Sequence, residues 1–495
     1  MALGAEAAAA VLALLLLLLL LTTRAAWVAV SCYVVTPLRI RRALAAQGVR
    51  GPPPRLLVGN LRDVSALVAE ATAGDMGNLG HDIVGRLLPH YVRWSKAYGK
   101  PFVYWYGSEP RVCVTDAGMA RELLSSRHAL GGATGRSWMQ RQGARHFIGG
   151  GLIMANGAAW SHQRHVVAPA FMADRLRGRV AHMAECARQA ARAMQEAVAR
   201  GGNEVEVGAH MARLAGDIVA RTEFDTSYDV GKRIFDLIDQ LQRLTARSSR
   251  YLWVPGSQYF PSKYKREIKR LNAELERLLH ESIQRSREIA DEGRTPSSAC
   301  GMGLLGMLLA ETDKKKNKNS DQGYDARMMI DECKTFFFAG HETSALLLTW
   351  AVMLLATNPA WQEKARAEVA AVCGDAPPAA DHLPKLAVLR VPKGASVWIP
   401  VLAIHHDEAA WGADAHEFRP DRFARRPPSG CFLPFASGPR NCVGQAYAMA
   451  EAKVVLAVML ASFRFGISDE YRHAPVNVLT LRPRHGVPVR LLPLR

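Results

Sequence analysis

Phe435-Ala-Ser-Gly438-Pro-Arg440-Asn-Cys442-Val-Gly444 runs directly into an apolar stretch that reads as a helix. This order of residues describes a turn that presents one sulfur at a helix start. Gly438 allows a tight backbone path with positive φ. Gly444 leaves room for a large flat group to come close. The amides and dipole of a helix N-terminus favour a thiolate over a thiol. Arg440, two residues before Cys442, can pair with a carboxylate of a ligand. A lone cysteine in a glycine-rich turn would read as buried structure. With Phe435, Gly438, Arg440 and Gly444 in register around it, that reading gives way to a functional one.

A second stretch breaks local rules. Met328 to Ala356 is apolar all round, the pattern of a deeply buried helix. Its middle reads Ala339-Gly340-His341-Glu342-Thr343-Ser344. A glycine inside a helix costs about 1 kcal/mol relative to alanine. A buried glutamate costs more unless it is paired or protonated. Such departures, clustered, mark a functional site.

The 495 residues are 49% hydrophobic and 22% charged, which is ordinary globular composition with length enough for a large core. A disordered tail, a collagen and a small disulfide-stapled domain are excluded. The formal charge of +18 suits an acidic partner. From Ala7 to Arg62 there is no acid, and arginine stands at 24, 39, 41, 42, 50, 55 and 62. The eight cysteines show no CxxC spacing, so buried free thiols and a reducing compartment are expected. There is no GxxxxGK[ST] phosphate loop and no GxSxG elbow. His341-Glu342 begins like HExxH, but Ala345 stands where the second histidine would be. No nucleic-acid module is recognisable, and no nucleic-acid partner is expected.

Ala7 to Thr23 is uncharged and holds Leu14 to Leu21 as eight consecutive leucines. Arg24 can snorkel, and the uncharged run resumes from Ala25 to Leu38. The only early charge is Glu6, and the basic residues follow the span. That predicts one uncleaved membrane anchor with the body in the cytosol. Gly51-Pro52-Pro53-Pro54 predicts a stiff elbow. The expected division is an anchor at 1–23, a basic and proline-rich hinge at 24–60, and one large helical domain with minor sheet at 61–495. Helical periodicity is predicted over 175–200, 207–248, 264–291, 324–356, 358–373 and 443–462. Short strands are predicted at 102–106, 111–115 and 396–400, with a pair near 477–493. The lysine-rich stretch 313–321 predicts a mobile surface loop.

The loop at 435–444 matches FxxGxRxC with glycine two residues on, and 339–343 matches (A/G)Gx(E/D)T. Trp160-Ser-His-Gln-Arg164 matches WxxxR, and Phe418-Arg-Pro420-Asp421-Arg422-Phe423 matches a PERF element with Asp421 in the Glu place. On these motifs, in this order over roughly residues 50 to 495, the chain resembles the cytochrome P450 family. The resemblance implies a mainly α fold with small β-sheets and an N-terminal transmembrane helix. It implies a haem b (iron protoporphyrin IX) ligated by Cys442, in a loop shaped by Phe435, Gly438 and Gly444. Trp160, Arg164 and Arg440 would seat the propionates. Gly340 would open room over the haem, while Glu342 and Thr343 organise protons for O–O cleavage.

The stretches at 221–228, 260–264, 331–338 and 471–475 resemble plant cytokinin trans-hydroxylases. That implies hydroxylation of the prenyl side chain of isopentenyladenine-type cytokinins, at the endoplasmic reticulum membrane. It also implies electrons from an NADPH-cytochrome P450 reductase, whose acidity would suit a basic face.

One departure stands out. The family carries an ExxR helix before the Pro-Lys-Gly strand, but here Leu386-Ala-Val-Leu-Arg390 runs straight into Val391-Pro-Lys-Gly394. Glu274…Arg277 and Glu363…Arg366 have the spacing but come too early. In the family the ExxR pair locks with the arginine of the PERF element, here Arg422. Removing partners of a buried charge costs about 3–5 kcal/mol. Impaired haem retention is therefore expected. The alternative function is a P450-derived, non-catalytic membrane protein without haem.

Overall fold

The computed structural model describes residues 2–124, 135–224, 226, 228–248, 261–291, 303–318, 325–373, 396–424 and 427–494. The helices that build and support the site are α1 (Ala2–Val30), α2 (Thr36–Ala45), α3 (Gly157–Val167), α4 (Ala173–Ala199), α5 (Val207–Glu223), α6 (Tyr228–Ser248), α7 (Lys263–Asp291), α8 (Leu304–Lys318), α9 (Ala326–Thr357), α10 (Pro359–Cys373) and α11 (Gln445–Ser462). The strands are β1 (Phe102–Tyr106), β2 (Glu109–Cys113), β3 (Glu204–Glu206), β4 (Ser396–Trp398), β5 (Phe463–Ile467), β6 (Pro475–Val478), β7 (Thr480–Pro483) and β8 (Pro488–Pro493). They form sheets ordered β1-β2-β4 and β3-β8-β5, and a β6-β7 hairpin. The expected mainly α body with small sheets is present.

The apolar run at 328–356 folds as the long helix α9. Asp325 caps it by accepting from the Met328 amide at 2.7 Å. Its buried face, from Met329 to Ala356, packs most extensively on α5 and also meets α11. The α5 start is capped by Glu206, whose carboxylate accepts from the Gly208 and Ala209 amides at 2.9 and 2.6 Å. Phe224 ends α5 and stacks on Phe337 of α9, with ring centroids 3.8 Å apart. The predicted single helical pattern over 207–248 is therefore two helices.

Gly340 lies at the α5–α9 contact. A Cβ there would sit 2.8 Å from Val219 Cγ2. Its missing side chain thus lets α5 and α9 approach closely. Gly340→Ala is expected to lower stability by about 1–3 kcal/mol through overpacking, less whatever alanine returns in helix propensity. Adding Val219→Ala should recover most of it. Denaturation midpoints of the single and double variants check this.

At the N-terminus, helix continues from Ala2 through residue 23 to Ala45, with a π-helical turn at Ser31–Val35. Ile40 and Leu44 of α2 are buried in a cluster with Val103, Trp105 and Val112 of the first sheet. The proline elbow is bound to the same sheet. Asn60 is fully buried, donates to the Pro53 carbonyl at 3.1 Å and accepts from the Trp105 amide at 2.9 Å. Among the described residues, three helical stretches are long and apolar enough to cross a membrane: Ala10–Ala45, α9 and α11. The last two contribute to the main core.

Two further expectations change. Residues 313–318 of the predicted loop belong to α8, because the apolar turn Leu304–Leu309 nucleates a helix that lysines, good helix formers, continue. The C-terminal strand pair is a hairpin plus β8, and β8 pairs with β5, which periodicity did not pick out. The junction at 386–394 lies outside the described residues.

Candidate functional site

The 435–444 loop turns tightly, with Ala436 at φ +59° and Gly438 at φ +72°. The Cys442 amide donates to the Phe435 carbonyl at 2.9 Å, and the Asn441 amide donates to the Gly438 carbonyl at 3.0 Å. These bonds aim Cys442 out of the loop just before α11 begins, with its side chain exposed. Gly444 would have no neighbour within 4 Å of an added Cβ, so this side is open to a flat ligand. Just upstream, the Leu433 amide donates to His405 Nε2 at 2.8 Å. Burial holds His405 down at about 4, so the ring is the neutral acceptor this bond requires.

The Cys442 thiol lies above its ordinary range. Although exposed by area, it has enough protein around it that loss of hydration dominates, against the Gly444 amide and the Arg164 charge. The expected thiolate stabilisation by the helix start is therefore not enough by itself. A bound metal cation would supply the remainder, because coordination deprotonates a thiol outright.

Helix α3 brings the WxxxR residues to this loop. Arg164 donates to the Asn441 carbonyl at 2.7 Å and to its side-chain oxygen at 2.8 Å. The Arg440 guanidinium stacks over the buried Trp160 ring, 4.7 Å from its centroid, and donates to the Ala155 carbonyl at 2.5 Å. So Trp160 and Arg164 of α3 meet the loop that carries Phe435, Gly438, Arg440, Cys442 and Gly444. Arg164 differs in detail: it is bound to Asn441 and clasps the loop.

Arg440 Nε is buried with no hydrogen-bond partner among the described residues. Burial depresses Arg440, and the charge of Arg136 depresses it further. Burial depresses Arg136 too. The Arg440 guanidinium over Trp160, with a free N–H and the charge of Arg136 acting on it, forms a site for anions. The carboxylates of an iron porphyrin with its metal at Cys442 meet that demand, so the residues present fit a haem. Arg136 was not picked out from sequence, since no motif spacing ties it to the loop.

The distal residues divide. Thr343 is exposed, and its hydroxyl donates to the Ala339 carbonyl at 2.6 Å. Glu342, next to it, turns to the hairpin. Arg482 of β7 donates to its carboxylate from Nε at 3.0 Å and from Nη2 at 2.6 Å, and Thr480 donates at 2.6 Å. Glu342 and Thr343 thus have separate partners, and Glu342 is held by a cation that sequence spacing did not reveal.

A buried acid lies behind the loop. Ser344 of α9 donates to Glu451 of α11 at 2.7 Å, and burial pushes Glu451 up to about 8, with the Glu223 charge adding to it. The fold thus favours the protonated form. The fold is best served below the ordinary carboxyl value of 4.5, and stability is lost as pH rises toward about 8. Glu451→Gln, neutral throughout, is expected to flatten that decline. Unfolding midpoints across this pH range, for both proteins, check it.

Comparison with known proteins adds the following. The family model described as Cytochrome P450 matches residues 76–391 and 388–485, in two pieces. Two Arabidopsis thaliana proteins named Cytokinin hydroxylase are 49% and 48% identical, each over 95% of this chain and 96% of its own length. A rice protein, Cytochrome P450 734A4 of Oryza sativa subsp. japonica, is 35% identical over 92% of this chain and 94% of its own.

Proposed function

Because this chain belongs to the cytochrome P450 family and is a monooxygenase of that family, we propose that it hydroxylates the prenyl side chain of isopentenyladenine-type cytokinins. The observation that carries the reading is the 49% identity to a cytokinin hydroxylase across 95% of the chain. Support comes from the meeting of the Cys442 loop and α3 within the described residues. The apolar N-terminal helix supports anchoring to the endoplasmic reticulum membrane as a single span, with the body cytosolic. The net charge of +18 supports an acidic NADPH-dependent reductase as electron donor.

Haem b is the group these residues would hold. Ligated through Cys442, it supplies the activation of O₂, with one oxygen atom entering a C–H bond and the other leaving as water. The protein's residues do the rest. Arg440, with the charge of Arg136 acting on it, would receive a carboxylate, which restores hydrogen bonding to the free Arg440 N–H. Trp160 fixes the Arg440 plane. Arg164 fixes Asn441 and so holds the residue before the ligand. Thr343 carries a hydroxyl proton at Oγ1, parked on the Ala339 carbonyl and able to rotate. Glu342, held by Arg482 and Thr480, anchors the hairpin against α9 beside that hydroxyl.

The test is a microsomal preparation with reductase, NADPH and isopentenyladenine nucleotide, alongside a reduced, CO-bound difference spectrum. Side-chain-hydroxylated product is expected. A haem-loaded sample that forms none rejects the cytokinin assignment.

A further inference from the structure

Helix runs without a break from Ala10 to Ala45, 36 residues, which is about 54 Å at a rise of about 1.5 Å per residue. A bilayer with its headgroups is about 40–45 Å thick. A span entered at Ala10 therefore brings only its last two turns out at the far headgroup layer, and tilt draws them further in. Those turns belong to α2 and carry Arg39, Arg41 and Arg42.

The body is fixed to these turns. Ile40 and Leu44, one turn apart, are buried against the first sheet. The three arginines occupy the remaining circumference and are exposed. Beyond α2, the Val103 amide of β1 donates to the Arg50 carbonyl at 3.0 Å. A Cβ on Gly51 would overlap the Val103 carbonyl, so the backbone lies flush on β1. The turn at Arg55–Gly59 closes through amide–carbonyl bonds at 3.1 and 2.8 Å and is bridged to Tyr106 at the end of β1. It projects Leu56, which at 73% is the most exposed large apolar side chain among the described residues.

The charge here is uncompensated. Arg39, Arg41, Arg42, Arg50 and Arg62 are exposed, and their guanidinium groups have no ion-pair or hydrogen-bond partner among the described residues. Exposed arginines elsewhere do find acids, as Arg188 finds Glu185 and Arg270 finds Glu267 on their own helices. Unpaired cations around an exposed leucine, where an apolar span emerges, suit an anionic surface with an apolar layer beneath it. An acidic protein would match the charge but not the leucine.

We propose that α2 and the 50–62 stretch form a rigid mount that seats the body on a bilayer face containing anionic phospholipid, with the five arginines on the headgroups and Leu56 beneath them. The inference rests on reading the N-terminal helix as a membrane anchor. A loose tether would let the body tumble above the leaflet; this mount fixes its attitude.

The test uses the full chain in nanodiscs of phosphatidylcholine, alone or mixed with phosphatidylserine. Phenylglyoxal labelling of each arginine is followed by peptide mass spectrometry. In mixed discs at low salt the five arginines are expected to react several-fold more slowly than in neutral discs, and salt should erase the difference. Arg188 and Arg270 should react alike in both; slowing of these two by the same factor would mark a general surface effect and overturn the proposal. Soluble glycerophosphoserine added to neutral discs should protect none of the five. Protection by it would replace the bilayer face with a free-phosphate site and overturn the proposal. Ile40→Ala with Leu44→Ala, which loosens α2 from the sheet, should keep the protection of Arg39, Arg41 and Arg42 and lose that of Arg50 and Arg62. Protection of all five in that variant overturns the rigid mount. A chain that enters both discs but labels equally in them sinks the proposal alone. A chain that enters neither sinks the anchor reading, and the proposal with it.

Discussion

Cys442→Ala protein is expected to show no CO-difference band of the thiolate-haem type and no hydroxylated product, while remaining folded. The loop owes its shape to backbone groups that the substitution leaves in place: the Cys442 amide on the Phe435 carbonyl and the Asn441 amide on the Gly438 carbonyl. The side chain is exposed, so its truncation should alter stability by only about 0.5 kcal/mol. Loss of chemistry without loss of fold separates a ligand from a packing residue. Spectra and unfolding midpoints on the same samples check both halves. A retained band would remove Cys442 from its assigned role.

The second large effect concerns stability. Arg179 of α4 and Glu223 of α5 form an ion pair at 2.6 Å, with side chains only 3% and 4% exposed. The Glu223 carboxylate also accepts from the Leu304 amide at 3.3 Å, which ties the start of α8 to the same charge. Arg179→Met leaves a carboxylate in the core without its cation, and a loss of about 3–5 kcal/mol is expected. The pair itself is worth far less, since both ions gave up hydration to form it. Arg179→Met combined with Glu223→Leu should therefore recover much of the loss. Denaturant midpoints of the wild type, the single variant and the double variant test this. Additive losses would contradict the account.

What the sequence disclosed follows a physical division. The cysteine loop was legible because its determinants are contiguous: a turn, a cation and two glycines within ten positions. Helix α9 was legible because an all-apolar run of that length has few other solutions. Trp160 and Arg164 were legible by helical spacing. Partnerships across the fold were not. Nothing near Glu342 announces Arg482, which lies far along the chain on a four-residue strand. Gly340 was placed on its helix by the motif, but helical period does not announce the close approach of Val219. The lysine run at 313–318 reads as loop by composition, yet the apolar turn before it sets the local conformation. Arg136 belongs to no motif and acquires meaning only beside Arg440.

The Arg164–Asn441 clasp has a consequence for how the molecule comes into being. Its two ends are 277 positions apart, so the ribosome makes α3 long before the residue it clasps. While the ribosome is still at work, α3 offers its arginine to a partner that has not been made. The pigment's berth cannot exist on a nascent chain that stops short of residue 442. Stalled or prematurely stopped polypeptides would therefore emerge colourless, whatever helices they had already formed.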